Sequence, residues 1–147
     1  MSRQNPARTL EEAWSGMSWE VEPGSFAILG FAEEPTAGDL EGLSSGPAQI
    51  VREGGETTVL VPESQVAAVL ARHPGASLER DLAWIRFRTP MGWEVVGFLA
   101  RVTGELAAAG VPLGAICGFS RDHLFVARRH LPRAAEVLAI QFGPPKT

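Results

Sequence analysis

The sequence has no tyrosine, a single cysteine, Cys117, and a single lysine, Lys146, beside twelve arginines. One cysteine excludes an internal disulfide, and with it the disulfide-rich secreted scaffolds. No apolar run reaches the roughly 18 residues that predict a membrane-spanning helix. The N-terminal run MSRQNPARTLEEAW lacks the apolar stretch of a secretory signal. These absences predict a cytoplasmic protein with no membrane partner.

Charge is distributed unevenly along the chain. Residues 1–79 hold twelve acidic and four basic side chains, whereas residues 80–147 hold five acidic and nine basic ones. A basic segment raises nucleic acid as a partner, but the net charge is −4 and few aromatic side chains interleave the arginines. We therefore expect a solvated basic surface and no nucleic-acid partner.

Hydrophobic periodicity and turn residues predict the elements of the first half. In order, these are a short helix at Thr9–Gly16 capped by Thr9, strands at Ser18–Glu22 and Phe26–Phe31, a loop over Glu33–Gly46 with a helical turn at Asp39–Leu43, a hairpin of Ala48–Glu53 with Thr57–Val61, and a helix opened by Pro62. Gly54 and Gly55 lie between the two hairpin strands, where a two-residue turn requires positive φ.

The second half repeats this order of elements. It predicts a strand at Leu82–Arg88, a helix from about Trp93 or Glu94 to Gly110, a hairpin of Leu113–Phe119 with His123–Val126, and a helix at Leu131–Phe142. Each half is one strand short of a six-element βαββαβ unit. The strand at Ser18–Glu22 supplies one missing strand if the two halves are interlocked.

The predicted fold class is therefore α+β, with two ferredoxin-like units in tandem. The antiparallel sheets carry their helices on one face, and the units are interlocked. The expected boundaries are an N-terminal extension at 1–16, a first unit at 17–78 and a second unit at 79–147.

Three runs carry a resemblance to a known family. They are WSGMSWEVEPGSFAI at Trp14–Ile28, TTVLVPE at Thr57–Glu63, and GFLARVTGELAAAGVPLGAICGFSRDHLFV at Gly97–Val126. The chain resembles tandem ACT-domain proteins, in which an ACT-3-like half precedes an ACT-7-like half, and which are related to aspartate kinase regulatory regions and amino-acid sensors. The resemblance implies a non-catalytic regulatory protein that binds a small molecule, specifically an amino acid. No cofactor is expected, and a homodimer is left open.

A ligand site is predicted where the first loop of the second half meets the tip of its hairpin. We expect the helix to start at Gly92–Glu94, so that its N–H groups bind a carboxylate while Ser120 or Asp122 binds an ammonium group. Trp93 and Phe119 would shield the site from water. The predicted ligand-binding residues are Thr89, Met91, Gly92, Trp93, Glu94, Val95, Gly118, Phe119, Ser120, Asp122 and His123.

Other interpretations of these residues remain open at this point. Asp122 caps the hairpin turn if it bonds its own backbone. Asp122 and His123 point to opposite faces of a strand, so no catalytic pair is expected, and Cys117 in an apolar strand is expected to be buried. The three histidines have no paired spacing, which predicts no metal site.

The function also has alternatives. The protein is a structural or interaction module, as a homodimer or an accessory subunit without ligand, if the strand face of Trp84, Arg86 and Arg88 is an interface. That face is otherwise covered by the other half of the chain or by a ligand. A small enzyme that uses Cys117 or His123 is the remaining alternative.

Overall fold

A computed structural model describes residues 5–147. The elements are α1 (Leu10–Ser15), β1 (Trp19–Val21), β2 (Phe26–Phe31), α2 (Ala37–Gly42), β3 (Gln49–Glu53), β4 (Glu56–Pro62), α3 (Val66–Arg72), β5 (Ser77–Phe87), α4 (Phe98–Ala108), β6 (Gly114–Cys117), β7 (Asp122–Ala127) and α5 (Leu131–Phe142). Single 3₁₀ turns at Leu43–Ser45, Glu63–Gln65 and Arg128–His130 precede β3, α3 and α5.

The chain divides into two compact units. Gly24–Leu82 forms one, here the central unit, and the first 23 residues with Ala83–Thr147 form the other, here the split unit. Residues 17–23 therefore lie with the C-terminal part of the chain. The domain boundaries expected from the sequence, 17–78 and 79–147, stay a prediction.

The central unit is a complete ferredoxin-like unit. Its strands lie in the order β3-β4-β2-β5, and β4 pairs antiparallel with both β3 and β2. The hairpin predicted from Gly54-Gly55 is confirmed, although only Gly55 has positive φ, at 90°. The fourth strand is the first part of β5, which begins at Ser77 and not at Leu82 as expected. Alternate apolar residues of β2 and β4 pack on α3.

A buried polar cluster holds the central unit's two helices. Asp39 in α2 accepts hydrogen bonds from the Thr36 backbone, from Arg72 Nε at 2.7 Å and from His73 Nε2 at 2.8 Å. Burial alone would raise the pKa of Asp39, but the bonds from His73, Thr36 and Arg72 lower it well below its usual range. The carboxylate therefore stays charged and ties α2 to the end of α3.

The split unit takes its fourth strand from the N-terminal part of the chain. Its strands lie in the order β6-β7-β5, and β1 pairs antiparallel with β5, with Trp19 opposite Phe87 and Val21 opposite Ile85. The interlock predicted from Ser18–Glu22 is confirmed. The β6–β7 hairpin is also confirmed, with Gly114 opposite Phe125 and Cys117 opposite Asp122.

The core of the split unit lies between this sheet and α1, α4 and α5. Ile85 and Phe87 of β5 are fully buried, as are Trp19 of β1 and Leu106 of α4. The Trp19 indole donates a 2.9 Å hydrogen bond to the Gly143 carbonyl, so its polar atom is satisfied inside the core. The opposite face of β5 carries Arg86 and, just after the strand, Arg88.

Two expectations about the split unit were wrong. The helix begins at Phe98 and not at Trp93 or Glu94, because Gly97 has φ 92° and stands at the N-cap, outside the helix. Cys117 is exposed and not buried, because β6 presents most of its residues to solvent.

Candidate functional site

A cavity of about 260 Å³ opens in the split unit beside the start of α4. We call it the α4 cavity. Its walls come from the loop before α4, the first turn of α4 and the loop between β6 and β7. They are formed by Met91, Gly92, Trp93, Val95, Gly97, Phe98, Leu99, Ala100, Cys117, Gly118, Phe119, Ser120, Arg121 and Asp122.

Backbone hydrogen bonds fix the loop that forms the first wall. Met91 N–H donates to the Ser120 carbonyl at 2.8 Å, which joins this loop to the β6–β7 loop. On the other side, Gly92 N–H donates to Ala7 O at 2.9 Å and Ala7 N–H donates to Pro90 O at 2.9 Å. The wall is therefore held between two other segments, and its shape does not depend on a ligand.

The second wall is a helix N-terminus without a side-chain cap. Thr9 and Thr36 cap α1 and α2 through their hydroxyls, but Gly97 offers α4 no such bond. The first N–H groups of a helix have no partner within it, and they carry the positive end of its dipole. Phe98, Leu99 and Ala100 line the cavity, so this positive end borders it.

The third wall supplies a carboxylate. Asp122 lines the cavity, and a hydrogen bond to its carboxylate, with burial, raises the pKa of the Cys117 thiol. The loop itself is closed by Gly118 N–H, which donates to the Arg121 carbonyl at 2.8 Å. Among residues 5–147, Asp122 makes no side-chain bond to the turn backbone, so the turn-cap interpretation of this residue has no support.

Aromatic rings form the rim of the cavity. Trp93 and Phe119 border it, but 77% of Trp93 and 84% of Phe119 is exposed. Val96, on the same loop as Trp93, is 81% exposed. The rim is thus an apolar surface in contact with water, and the rings do not close the cavity.

One part of the chain matches a known family. Residues 77–139 match the family model described as ACT domain. This segment, which is less than half of the chain, resembles an ACT domain. ACT domains are in general regulatory, ligand-binding domains and are generally non-catalytic. No curated protein matches the sequence.

Solved structures share the tandem ACT-like fold. Protein Atu0741 from Agobacterium tumefaciens is 19% identical with a TM-score of 0.71, over 88% of this chain and 90% of that one. VC0802 from Vibrio cholerae, described as a possible transport protein, is 22% identical with a TM-score of 0.64, over 87% and 91%. The aspartate kinase regulatory subunit from Thermus thermophilus, in its ligand-free form, is 14% identical with a TM-score of 0.63, over 88% and 99%.

Eight of the predicted site residues lie at the cavity of this ACT-like unit. They are Met91, Gly92, Trp93, Val95, Gly118, Phe119, Ser120 and Asp122. Gly97–Ala100 also line the cavity but were not predicted, because the predicted start of the helix lies too early in the chain. Two further lining residues were not predicted: Cys117 directly precedes the predicted loop residues, and Arg121 lies between Ser120 and Asp122.

The other three predicted residues lie elsewhere in the ACT-like unit. The Thr89 hydroxyl donates to Gly16 O at 2.7 Å, and Glu94 pairs with Arg8 at 3.1 Å. The Nδ1 atom of His123 accepts a 3.0 Å hydrogen bond from the Trp84 indole. These contacts occupy the Thr89 hydroxyl, one carboxylate oxygen of Glu94 and the Nδ1 atom of His123.

The enzyme alternative names Cys117 and His123, and the pKa values of both are shifted. The pKa of Cys117 is raised, so less of the thiol is the nucleophilic thiolate. Burial, together with the nearby positive charge of Arg86, lowers the pKa of His123.

Within residues 5–147 there is no cluster of three or more potential metal-ligating side chains. Over the same residues, no helix has the length and apolarity needed to cross a membrane.

Proposed function

We propose that this protein is a non-catalytic regulatory module that binds an amino acid in the α4 cavity. The observation that carries the proposal is the opposition of charge across that cavity. The uncapped N-terminus of α4 borders one side and the Asp122 carboxylate borders the other. A free amino acid has the matching pair of charged groups at its α-carbon.

The polar groups suit the two ends of such a ligand. A carboxylate accepts charge-assisted hydrogen bonds from the N–H groups of the first turn of α4, with a dipole contribution of about 0.3–1 kcal/mol. The ammonium group donates to Asp122 and to Ser120. The carboxylate of Asp122 then exchanges its bond from the Cys117 thiol for a stronger, charged one.

The size of the cavity and its rim suit the rest of the ligand. A volume of about 260 Å³ lies near the lower end of small-molecule sites, which span about 300–1,000 Å³. The rim of Trp93 and Phe119 faces a side chain that leaves the cavity. An apolar side chain there covers surface that is now in water, which favours binding through the hydrophobic effect.

A thermal-shift screen over the standard amino acids tests this function. A ligand that binds only the folded state raises stability by about 2.7 kcal/mol at a hundredfold excess over its dissociation constant. We expect at least one amino acid to raise the melting temperature of the wild type, and Asp122→Asn to abolish that shift while it keeps the unliganded melting temperature. Glu94→Gln removes a carboxylate of the same loop that pairs with Arg8, and it should retain the shift. A flat screen, or a shift that survives Asp122→Asn, contradicts the proposal.

The exposed rim favours a second candidate function. Trp93, Val96 and Phe119 are large apolar side chains left in water, which is typical of an interaction surface. The protein would then be a cytoplasmic homodimer or an accessory subunit without ligand. Sedimentation of the wild type and of Phe119→Ser distinguishes it. A dimer that Phe119→Ser dissociates, together with a flat amino-acid screen, gives this candidate the lead.

A further inference from the structure

A second, polar cavity of about 590 Å³ lies in the split unit, on the face of β5 that the helices leave open. We call it the basic cavity. Its walls include four cationic side chains, those of Arg86, Arg88, Arg121 and Lys146, with the carboxylate of Glu20 among them. Arg121 borders both this cavity and the α4 cavity, but the proposed amino-acid function uses neither Arg121 nor any other residue of the basic cavity.

Three different segments of the chain carry these four cationic residues. Arg86 and Arg88 project from β5 and the residue after it. Arg121 reaches the cavity from the β6–β7 loop, and its Nε donates a 2.8 Å hydrogen bond to the Arg88 carbonyl. Lys146 arrives from the segment after α5, where its N–H donates to the Trp19 carbonyl at 2.8 Å. The fold thus brings these four residues to one cavity, with the Arg121 side chain and the Lys146 backbone held by hydrogen bonds.

Carboxylates compensate only part of this charge. Arg86 pairs with Glu20 and, at 3.1 Å, with Glu22, and the Nε atom of Arg88 lies 3.3 Å from Glu20. Over the residues that the structure describes, neither Arg121 nor Lys146 has a carboxylate within ion-pair distance. Two positive charges are left over, in a protein whose net charge is −4.

We propose that the basic cavity binds a small molecule through a dianionic group of the phosphate type. A phosphate monoester carries about −1.5 to −2 charges at neutral pH and offers three acceptor oxygens at one point. That charge matches the uncompensated pair of Arg121 and Lys146. Guanidinium groups bind such oxygens with two parallel hydrogen bonds, and a lysine adds a point charge.

The surroundings of the cavity agree with this ligand. The volume lies in the middle of the range for small-molecule sites, so there is room for a phosphate group and a small organic part. Burial and, after it, the positive charges of Arg86 and Arg121 lower the pKa of the neighbouring His123, against the opposing charge of Asp122. Focused positive potential raises the local concentration and the association rate of anions.

Isothermal titration with inorganic phosphate and with glycerol phosphate, at constant ionic strength, tests the proposal. We expect the wild type to bind phosphate saturably. Lys146→Gln should bind it roughly tenfold more weakly, which is the loss in affinity expected from removing one charge-assisted hydrogen bond. Glu20→Gln removes the carboxylate that competes for Arg86 and Arg88, and we expect it to strengthen binding. The two variants therefore move the affinity in opposite directions.

Arg129→Gln is the matched control, because it removes an exposed positive charge outside the cavity. It should leave the affinity within about twofold of the wild type. An equal loss in Lys146→Gln and Arg129→Gln overturns the proposal, since it marks a general charge effect. So does the absence of saturable phosphate binding, or a preference for succinate, which identifies a dicarboxylate site. Asp122→Asn should bind phosphate with the affinity of the wild type. The phosphate titration and the amino-acid screen therefore test the two proposals independently.

Discussion

Cys117 makes the charge inside the α4 cavity measurable without a ligand. It is the one thiol of the chain, it is exposed, and it shares a hydrogen bond with Asp122. The carboxylate stabilises the protonated thiol by accepting its hydrogen bond and disfavours the thiolate by its charge. The reactivity of this residue therefore reports on the group that we expect to bind the ammonium of the ligand.

The pH profile of Cys117 alkylation gives a prediction at this scale. The raised thiol pKa predicts slow alkylation at pH 8, with a rise only above the pH at which an ordinary cysteine ionises. Asp122→Asn removes the negative charge, so the pKa falls and the midpoint of the profile moves to lower pH. Iodoacetamide labelling followed by mass spectrometry measures it. Glu94→Gln should not move the midpoint, and an unchanged midpoint in Asp122→Asn would show that Asp122 does not act on the thiol.

The start of α4 shows what an element's sequence pattern can and cannot locate. Val95, Leu99, Val102 and Leu106 keep a helical spacing, so periodicity alone carries the helix back to Val95. Only the dihedral angle of Gly97 excludes that extension, and a glycine in a sequence does not reveal the sign of its φ. β2 and α5 were located to the residue, because turn glycines, prolines and abrupt changes of polarity mark their ends.

Two glycines of this region give a matched test of the helix start. Gly97 has φ 92°, where a side chain is strained, and Gly104 lies in the helical interior with no atom within 4 Å of an added Cβ. We expect Gly97→Ala to lower the free energy of unfolding by about 1 kcal/mol or more, and Gly104→Ala to raise it by about 0.5–1 kcal/mol. Urea denaturation measures both. Stabilisation of both variants would place Gly97 inside the helix after all.

At the scale of the whole molecule, β1 near the N-terminus folds with a part of the chain that begins about sixty residues later, at Ala83. The order of predicted elements indicates this arrangement. Each half is one strand short of a βαββαβ unit, and the strand at Ser18–Glu22 belongs to neither half by its position in the sequence. The same reasoning missed that β5 begins at Ser77, because Ser77–Asp81 is too polar for a periodic signal. The residues of the basic cavity come from four separate segments of the chain. Their spacing in the sequence therefore gives no signal that they lie together in the fold.

Deletion of residues 1–24 tests the interlock. It removes Ala13, Met17 and Trp19 from the core of the split unit, and loss of a buried tryptophan side chain alone costs about 3–5 kcal/mol. Since a domain is stable by about 5–15 kcal/mol, we expect the split unit to unfold.

Tryptophan fluorescence measures the outcome directly. All four tryptophans lie in the split unit, and the deletion leaves Trp84 and Trp93 as its probes. Trp19→Phe keeps an aromatic ring but loses the bond to Gly143 and leaves a cavity, so it should unfold cooperatively with a stability loss of about 2 kcal/mol or more. A fragment of residues 79–147 that folds alone with native-like stability contradicts the expectation.

The split of one unit around the other also sets an order of events during translation. The central unit is complete once Leu82 has left the ribosome. Trp19 pairs with Phe87, so it finds its strand partner only after Phe87 has emerged, and its core is complete only after α5 has been synthesised. At about 5–20 residues per second, a nascent chain needs on the order of ten seconds to synthesise that stretch. During this interval α1 and β1 are emerged but unpartnered, and they are the part of the chain that a ribosome-associated chaperone would meet first.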